Sequence, residues 1–115
     1  MLMFPAGRRL RTPADFTTVI RGGHKAARRS VVLHLRRADE HRPGRAGLIV
    51  SRAVGNAVTR NRVKRRLRAL ISSHWSDDPD ADVVVRALPV SAELTWDELA
   101  ADVDRAWHRA AQGRR

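Results

Sequence analysis

Apolar residues recur at Val63, Leu67, Leu70 and Ile71, the i, i+4, i+7, i+8 spacing of a helix with one face in a core. The helix they predict starts after the break at Val54-Gly55-Asn56 and runs to His74 or Trp75. A second stripe, Leu99, Val103, Ala106 and Trp107, follows Thr95-Trp96-Asp97-Glu98, a capping box stapled by Leu94 and Leu99. A shorter helix begins at Thr12-Pro13-Ala14-Asp15, where a hydroxyl caps, proline takes the first helical position and an acid follows. It carries Phe16, Val19 and Ile20 and ends at Gly22-Gly23.

Strand patterning fills the gaps. Ser30 to Arg37 alternates, with Val31, Leu33 and Leu35 on one side and Val32, His34 and Arg36 on the other. A turn-rich loop from Asp39 to Arg45 leads to a second strand, Ala46 to Ser51, and the short connection predicts a hairpin. After the polar loop Asp77-Asp78-Pro79-Asp80, the run from Val83 to Leu88 is nearly continuous and reads as a strand covered on both faces. The order α-β-β(-β)-α-β-α predicts an α+β, single-domain, two-layer sandwich of helices on a small sheet. One domain over 1–115 suits the length, with 1–8 and 112–115 expected to be flexible.

Charge changes this picture from a generic fold to a binding protein. The net charge is +11 and the pI about 11.8. Residues 1–76 hold 18 Lys+Arg against 3 Asp+Glu, whereas residues 77–115 hold 5 against 9, so the C-terminal third is not expected to bind a polyanion. Six cations fall between Ala57 and Ile71, and no acid lies from His41 to Ser76. A solvated helix face normally interleaves acids with bases to gain pairing of a few tenths of a kcal/mol, so this one reads as a nucleic-acid surface. Arg62, Arg65 and Arg68 are expected in an outward row, with Asn56 and Asn61 as amide groups among them. Of 23 cations, 21 are Arg, which suits bidentate phosphate contact, although a GC-rich coding sequence gives the same skew.

Catalytic patterns are missing. With no cysteine there is no disulfide, thiolate site or thiol nucleophile, which fits a reducing cytoplasm. His24, His34, His41, His74 and His108 show no metal-ligand spacing, and the carboxylates are explained by caps and a loop. Paired histidines that meet only in the fold stay open as an acid-base possibility. Aromatics are only 4%, against a base-stacking sheet, and Phe16 reads as core or cleft. No stretch approaches the roughly 20 apolar residues of a membrane span.

The segment Ser51-Arg-Ala-Val-Gly-Asn-Ala-Val-Thr-Arg-Asn-Arg-Val-Lys-Arg-Arg-Leu-Arg68 resembles the signature of the bacterial ribonuclease P protein component. The likeness extends to Leu10-Arg11 with Asp15-Phe16, to Gly47 through Ser51, and to Val83-Val84-Val85, nearly the whole chain. The resemblance implies a ribosomal-protein-like fold with a left-handed βαβ crossover, against the usual handedness rule. It implies the small subunit of a ribonucleoprotein endonuclease that removes the 5′ leader of precursor tRNA. The catalyst would be the RNA subunit with its Mg²⁺, with no catalytic residue on the protein and any protein contact to metal left open.

By that likeness Arg52, Asn56, Arg60, Asn61, Arg62, Lys64, Arg65 and Arg68 would contact ribonuclease P RNA. Phe16, Ile20, Val32, His34, Arg36 and Arg86 would line a cleft for the leader. Ile20, Val31 and His34 stand where many members carry aromatics, and Ala87 and Leu88 where a basic pair is common. The expected partners are ribonuclease P RNA and precursor tRNA, with no DNA, no membrane and a cytoplasmic location. The protein would act by neutralising phosphates and positioning the leader, so lowering the Mg²⁺ needed. Rival readings are a non-catalytic ribosomal or assembly protein, a basic helix lying on anionic lipid, and a protein-only nuclease.

Overall fold

A computed structural model describes residues 4–113. Seven main elements follow one another: α1 (Pro13–Gly22), β1 (His24–Ala27), β2 (Val31–Arg37), β3 (Ala46–Ile49), α2 (Ala57–His74), β4 (Ala81–Ala87) and α3 (Trp96–Ala111). Short 3-10 turns occupy Ala6–Arg8, Arg52–Val54 and Pro89–Ala92. Each helix starts where its cap chemistry demands. Thr12 and Thr95 close capping boxes with Asp15 and Glu98, and the Asn56 Oδ1 accepts the Thr59 N–H at 2.9 Å.

The four strands lie in the order β1-β2-β4-β3. β2 pairs antiparallel with both β1 and β4, while β3 runs parallel to β4. The expected hairpin between the strands at 30–37 and 46–51 is therefore wrong. β4 is inserted between them, because its run Val83-Val84-Val85 is buried on both faces and belongs in the sheet interior. The actual hairpin is β1-β2, closed where Arg28 N–H donates to the Val31 carbonyl at 2.8 Å. His24–Ala27 carries only four residues and one buried side chain, too little alternation to read as a strand.

Period-2 alternation then separates two faces. Val31, Leu33 and Leu35 of β2, Val83 and Val85 of β4, and Ala46 of β3 join Val63, Leu67 and Ile71 of α2 and Leu99, Val103 and Trp107 of α3 in the main core. This is the two-layer sandwich. On the other face a small cluster of Leu10, Val19 and Val84, with Phe16, Ile20 and Ile49 packed on it, seats α1 over one end of the sheet. The rest of that face stays open. Trp96, at the first position of α3, is 43% exposed and marks a helix end rather than core.

The acidic loop before β4 is tied to the basic half of the chain. Asp82, 1% exposed, accepts both Arg42 guanidinium nitrogens at 2.9 and 2.6 Å and the Arg45 N–H at 2.8 Å. Arg37 forks onto Asp78, and Trp107 Nε1 donates to the same carboxylate at 3.3 Å. Residues 4–8 are not the loose end expected. Phe4 is buried against Trp75 with ring centroids 5.3 Å apart, and the Arg8 guanidinium covers the other side at 3.7 Å while donating to the carbonyls of Gly44 and Pro79. Gln112 closes α3 as its C-cap; 1–3 and 114–115 lie outside the described residues.

Removing Arg42 strands a buried carboxylate, whereas removing Arg37 frees one that water can reach. Arg42→Ala is expected to cost about 3 kcal/mol and Arg37→Ala less than about 1 kcal/mol in urea unfolding. Equal losses would contradict the asymmetry.

Candidate nucleic-acid interface

The face of α2 turned from the core carries the basic signature, but not as a uniform row. Asn61 and Arg65 are exposed along its crest, and Arg52 stands exposed in the turn just before the helix. Lys64 and Arg68, half-buried, lie on the flank toward β3. Arg62 lies on the opposite flank, where Nη2 donates to the Ala92 carbonyl at 2.9 Å; one turn on, Arg66 Nη1 donates to Leu94 at 3.1 Å. The expected row of Arg62, Arg65 and Arg68 is corrected accordingly. Helical geometry sets Arg62 and Arg68 about 120° apart, one on each side of Arg65. Arg62 spends part of its guanidinium clamping α2 to the 3-10 turn before α3. Arg60 turns back, its Nε donating to the Gly55 carbonyl at 3.1 Å, and the Asn56 carbonyl oxygen is committed to its cap.

The second surface is the open side of the sheet. Strand register places Lys25, His34, Val84 and Gly47 in one row across β1, β2, β4 and β3, and Ala27, Val32, Arg86 and Ile49 in the next. Arg36, opposite Asp82, lies in the row on the other side of His34, beside Gly22 at the end of α1. Phe16 lies half-buried on β3. A Cβ on Gly47 would sit 2.3 Å from the tip of the Phe16 ring, so only glycine lets that ring approach the strand so closely. Ile20 completes the α1 wall of the cleft. Val32, His34, Arg36 and Arg86 thus share the open face of the sheet, and Phe16 and Ile20 of α1 pack on one end of that face.

The two surfaces touch, a juxtaposition no spacing could reveal. A groove of about 220 Å³ at the β3 edge is lined by Phe16 and Gly47 from the cleft and by Lys64 and Arg68 from α2. Arg9 also lines it, beside the bridge where Leu10 N–H donates to Ala46 at 2.9 Å. Sequence reasoning missed Arg9; its only signal was adjacency to Leu10-Arg11. Inside the cleft, burial, helped by the charges of Lys25 and Arg86, holds the His34 imidazole below its ordinary pKa, and His34 Nδ1 is buried without a protein partner. Among the described residues, no group of three or more His, Asp or Glu converges to hold a metal ion, and no helix is long and apolar enough to cross a membrane.

The profile of the family described as Ribonuclease P matches residues 4–111. The chain belongs to the ribonuclease P protein family. It is 50% identical over 101 residues to the ribonuclease P protein component of Kocuria rhizophila, covering 87% of this chain and 88% of that one. Against the Acidothermus cellulolyticus protein of the same name it is 44% identical over 112 residues, covering 96% and 93%. The crystal structure of the Staphylococcus aureus RNase P protein superposes with a TM-score of 0.80 at 29% identity, covering 89% of this chain and 94% of that one. The Thermotoga maritima RNase P protein, at 23% identity and a TM-score of 0.75, shares the fold, with coverage of 89% and 96%. The α+β fold with four strands and three helices is thus that of ribonuclease P proteins.

Because His34 binds its proton less readily in the folded state than in the unfolded chain, its contribution to stability is full above the ordinary value of about 6.5 and declines as pH falls through it. Burial lowers the His74 pKa too, so both act in the same sense. The urea midpoint is expected to fall as the pH is lowered from about 7.5 to about 5.5, and His34→Gln to flatten part of that fall. A His34→Gln protein with an unaltered pH slope would refute the assignment.

Proposed function

We propose that this chain is the protein subunit of ribonuclease P, binding the catalytic RNA through α2 and holding the 5′ leader of precursor tRNA in the cleft between α1 and the sheet. The observation that carries the reading is the groove joining Phe16 and Gly47 to Lys64 and Arg68, which sets a basic docking helix and a half-apolar cleft side by side. Two RNAs that approach each other repel through their phosphates, and cations shared between them lower that cost. Arg65 and Asn61 face outward for the large RNA; Lys64 and Arg68 lie at the junction; Arg86 and Arg36 flank the leader path. Phe16 and Ile49 offer apolar surface to bases, and His34 Nδ1 has an unmet hydrogen-bonding site.

Cleavage itself is assigned to the RNA. Asp82 and Asp102 are held by arginines and Asp78 by Arg37 and Trp107, so these carboxylates do not fit a Mg²⁺ site on the protein, and the polypeptide supplies affinity and orientation. A non-catalytic assembly protein would share the charge but would not stimulate cleavage. Reconstitution decides: protein, ribonuclease P RNA and labelled precursor tRNA should give mature 5′ ends faster than RNA alone at physiological Mg²⁺, and protein alone should give none. Absence of stimulation would overturn the reading.

Arg65→Ala should weaken binding to the RNA subunit by about 1 kcal/mol and reduce the log K against log salt slope by about one contact. An unchanged salt slope would remove Arg65 from the interface. Phe16→Ala should leave RNA-subunit binding intact while lowering the preference for precursor over mature tRNA, measured as a ratio of Kd values. Equal loss for both tRNAs would place Phe16 outside leader recognition.

A further inference from the structure

Away from α2, a groove of about 570 Å³ runs between β1 and α3, walled by Lys25 and Arg28 on one side and by Arg105 and Arg109, one turn apart, on the other. All four cations are exposed, and among the described residues none of them forms an ion pair. The one carboxylate in the wall, Asp104, is turned to histidines: its Oδ1 lies 3.6 Å from His74 Nε2 and 3.4 Å from His108 Nε2. Arg29, just beyond, is paired with Asp102 and does not add to the free charge. Four unpaired cations around one groove are costly in self-repulsion unless a polyanion enters.

The groove adjoins the open face of the sheet at Lys25. Lys25 belongs to both, because it pairs in register with His34 and so stands in the cleft's own row, at the edge of the sheet. β1 has a neighbour on one side only, whereas the far edge of β3 is covered by the bridge to Arg9. A strand of RNA crossing from Phe16 on β3 to Lys25 on β1 spans three interstrand steps, about 14 Å, and leaves the sheet over the β1 edge. It meets the basic groove there.

We infer that the β1-α3 groove is a second phosphate-binding tract, which takes the nucleotides of a long 5′ leader beyond those held in the cleft. The inference rests on the proposed leader cleft and extends it. It also reverses an expectation of the sequence, that the acidic C-terminal third takes no part in binding: Arg105 and Arg109 come from that third, and the fold brings them to Lys25 and Arg28. The tract reads charge and not base identity, since its lining has no Phe, Tyr or Trp and its one ring, His108, is turned to Asp104.

The test uses the reconstituted complex of protein and RNA subunit with three substrates: precursor tRNA with a leader of about 3 nucleotides, one with a leader of about 12, and mature tRNA. With Arg105→Gln and Arg109→Gln combined, the Kd for the long-leader substrate is expected to rise about tenfold and its salt slope to fall by about two contacts, while short-leader and mature tRNA bind as before. The paired Arg105→Lys and Arg109→Lys variant should restore long-leader binding, because a phosphate tract needs charge rather than a fork. Loss shared by all three substrates, or no loss for any, would overturn the inference while leaving the cleft in place, provided that Phe16→Ala still affects precursor over mature tRNA. Should the unmodified complex fail to prefer precursor tRNA, the cleft reading itself fails, and the tract with it.

Discussion

Everything in this molecule hangs on β4, the strand that is buried on both faces and paired on both edges. Val83 and Val85 support α2 and α3 on one side, and Val84 supports α1 on the other. Burying each such side chain is worth on the order of 2 kcal/mol, so three in a row make the sheet's interior the natural place for this segment. That choice forces the chain after β2 to leave the sheet and return as β3 on the far side of β4, running parallel to it. The parallel step from β3 back to β4 then needs a long crossover, and α2 is that crossover. The basic helix stands beside the cleft because β4 displaced the hairpin that local spacing favoured.

Charge is segregated by the same packing. Asp78 and Asp82 are neutralised from within by Arg37 and Arg42, and Arg8 is spent on Trp75 and nearby carbonyls. These contacts remove much of the negative charge from play and anchor the basic N-terminal half to β4. The outward cations include Arg65 with Lys64 and Arg68 on α2, Arg86 and Lys25 on the open sheet, and Arg105 and Arg109 on α3. Not every arginine of the basic helix belongs to that display, since Arg60, Arg62 and Arg66 each donate to a backbone carbonyl. A helix so heavily charged is held to the core partly by its own cations.

Local chemistry was legible wherever a pattern spans a whole element. The caps at Thr12 and Thr95 and the stripes of α2 and α3 are fixed by residues within one or two turns, so reading them needs no knowledge of the rest of the chain, whereas Asn56, read as an RNA-facing amide, proved to be the cap of α2. The alternation of β2 is equally local. β1 escaped because four residues with one buried position carry almost no periodic signal. The packed start of the chain escaped as well, since Phe4 and Arg8 gain their places from Trp75, some 70 residues away.

By itself, then, the order of residues determined the helices, the alternating strand, the excess of positive charge and the family signature, because each is a property of neighbours along the chain. Tertiary structure alone decided which strands are adjacent, that Arg62 is a clamp while Arg65 is free, that Phe16 rests on Gly47, and that Lys25 and Arg28 line one groove with Arg105 and Arg109. Those outcomes depend on contacts between segments far apart in sequence. Such contacts form by competition for buried surface, and β4 won that competition through Val83-Val84-Val85, three adjacent side chains buried on both faces with no polar group among them.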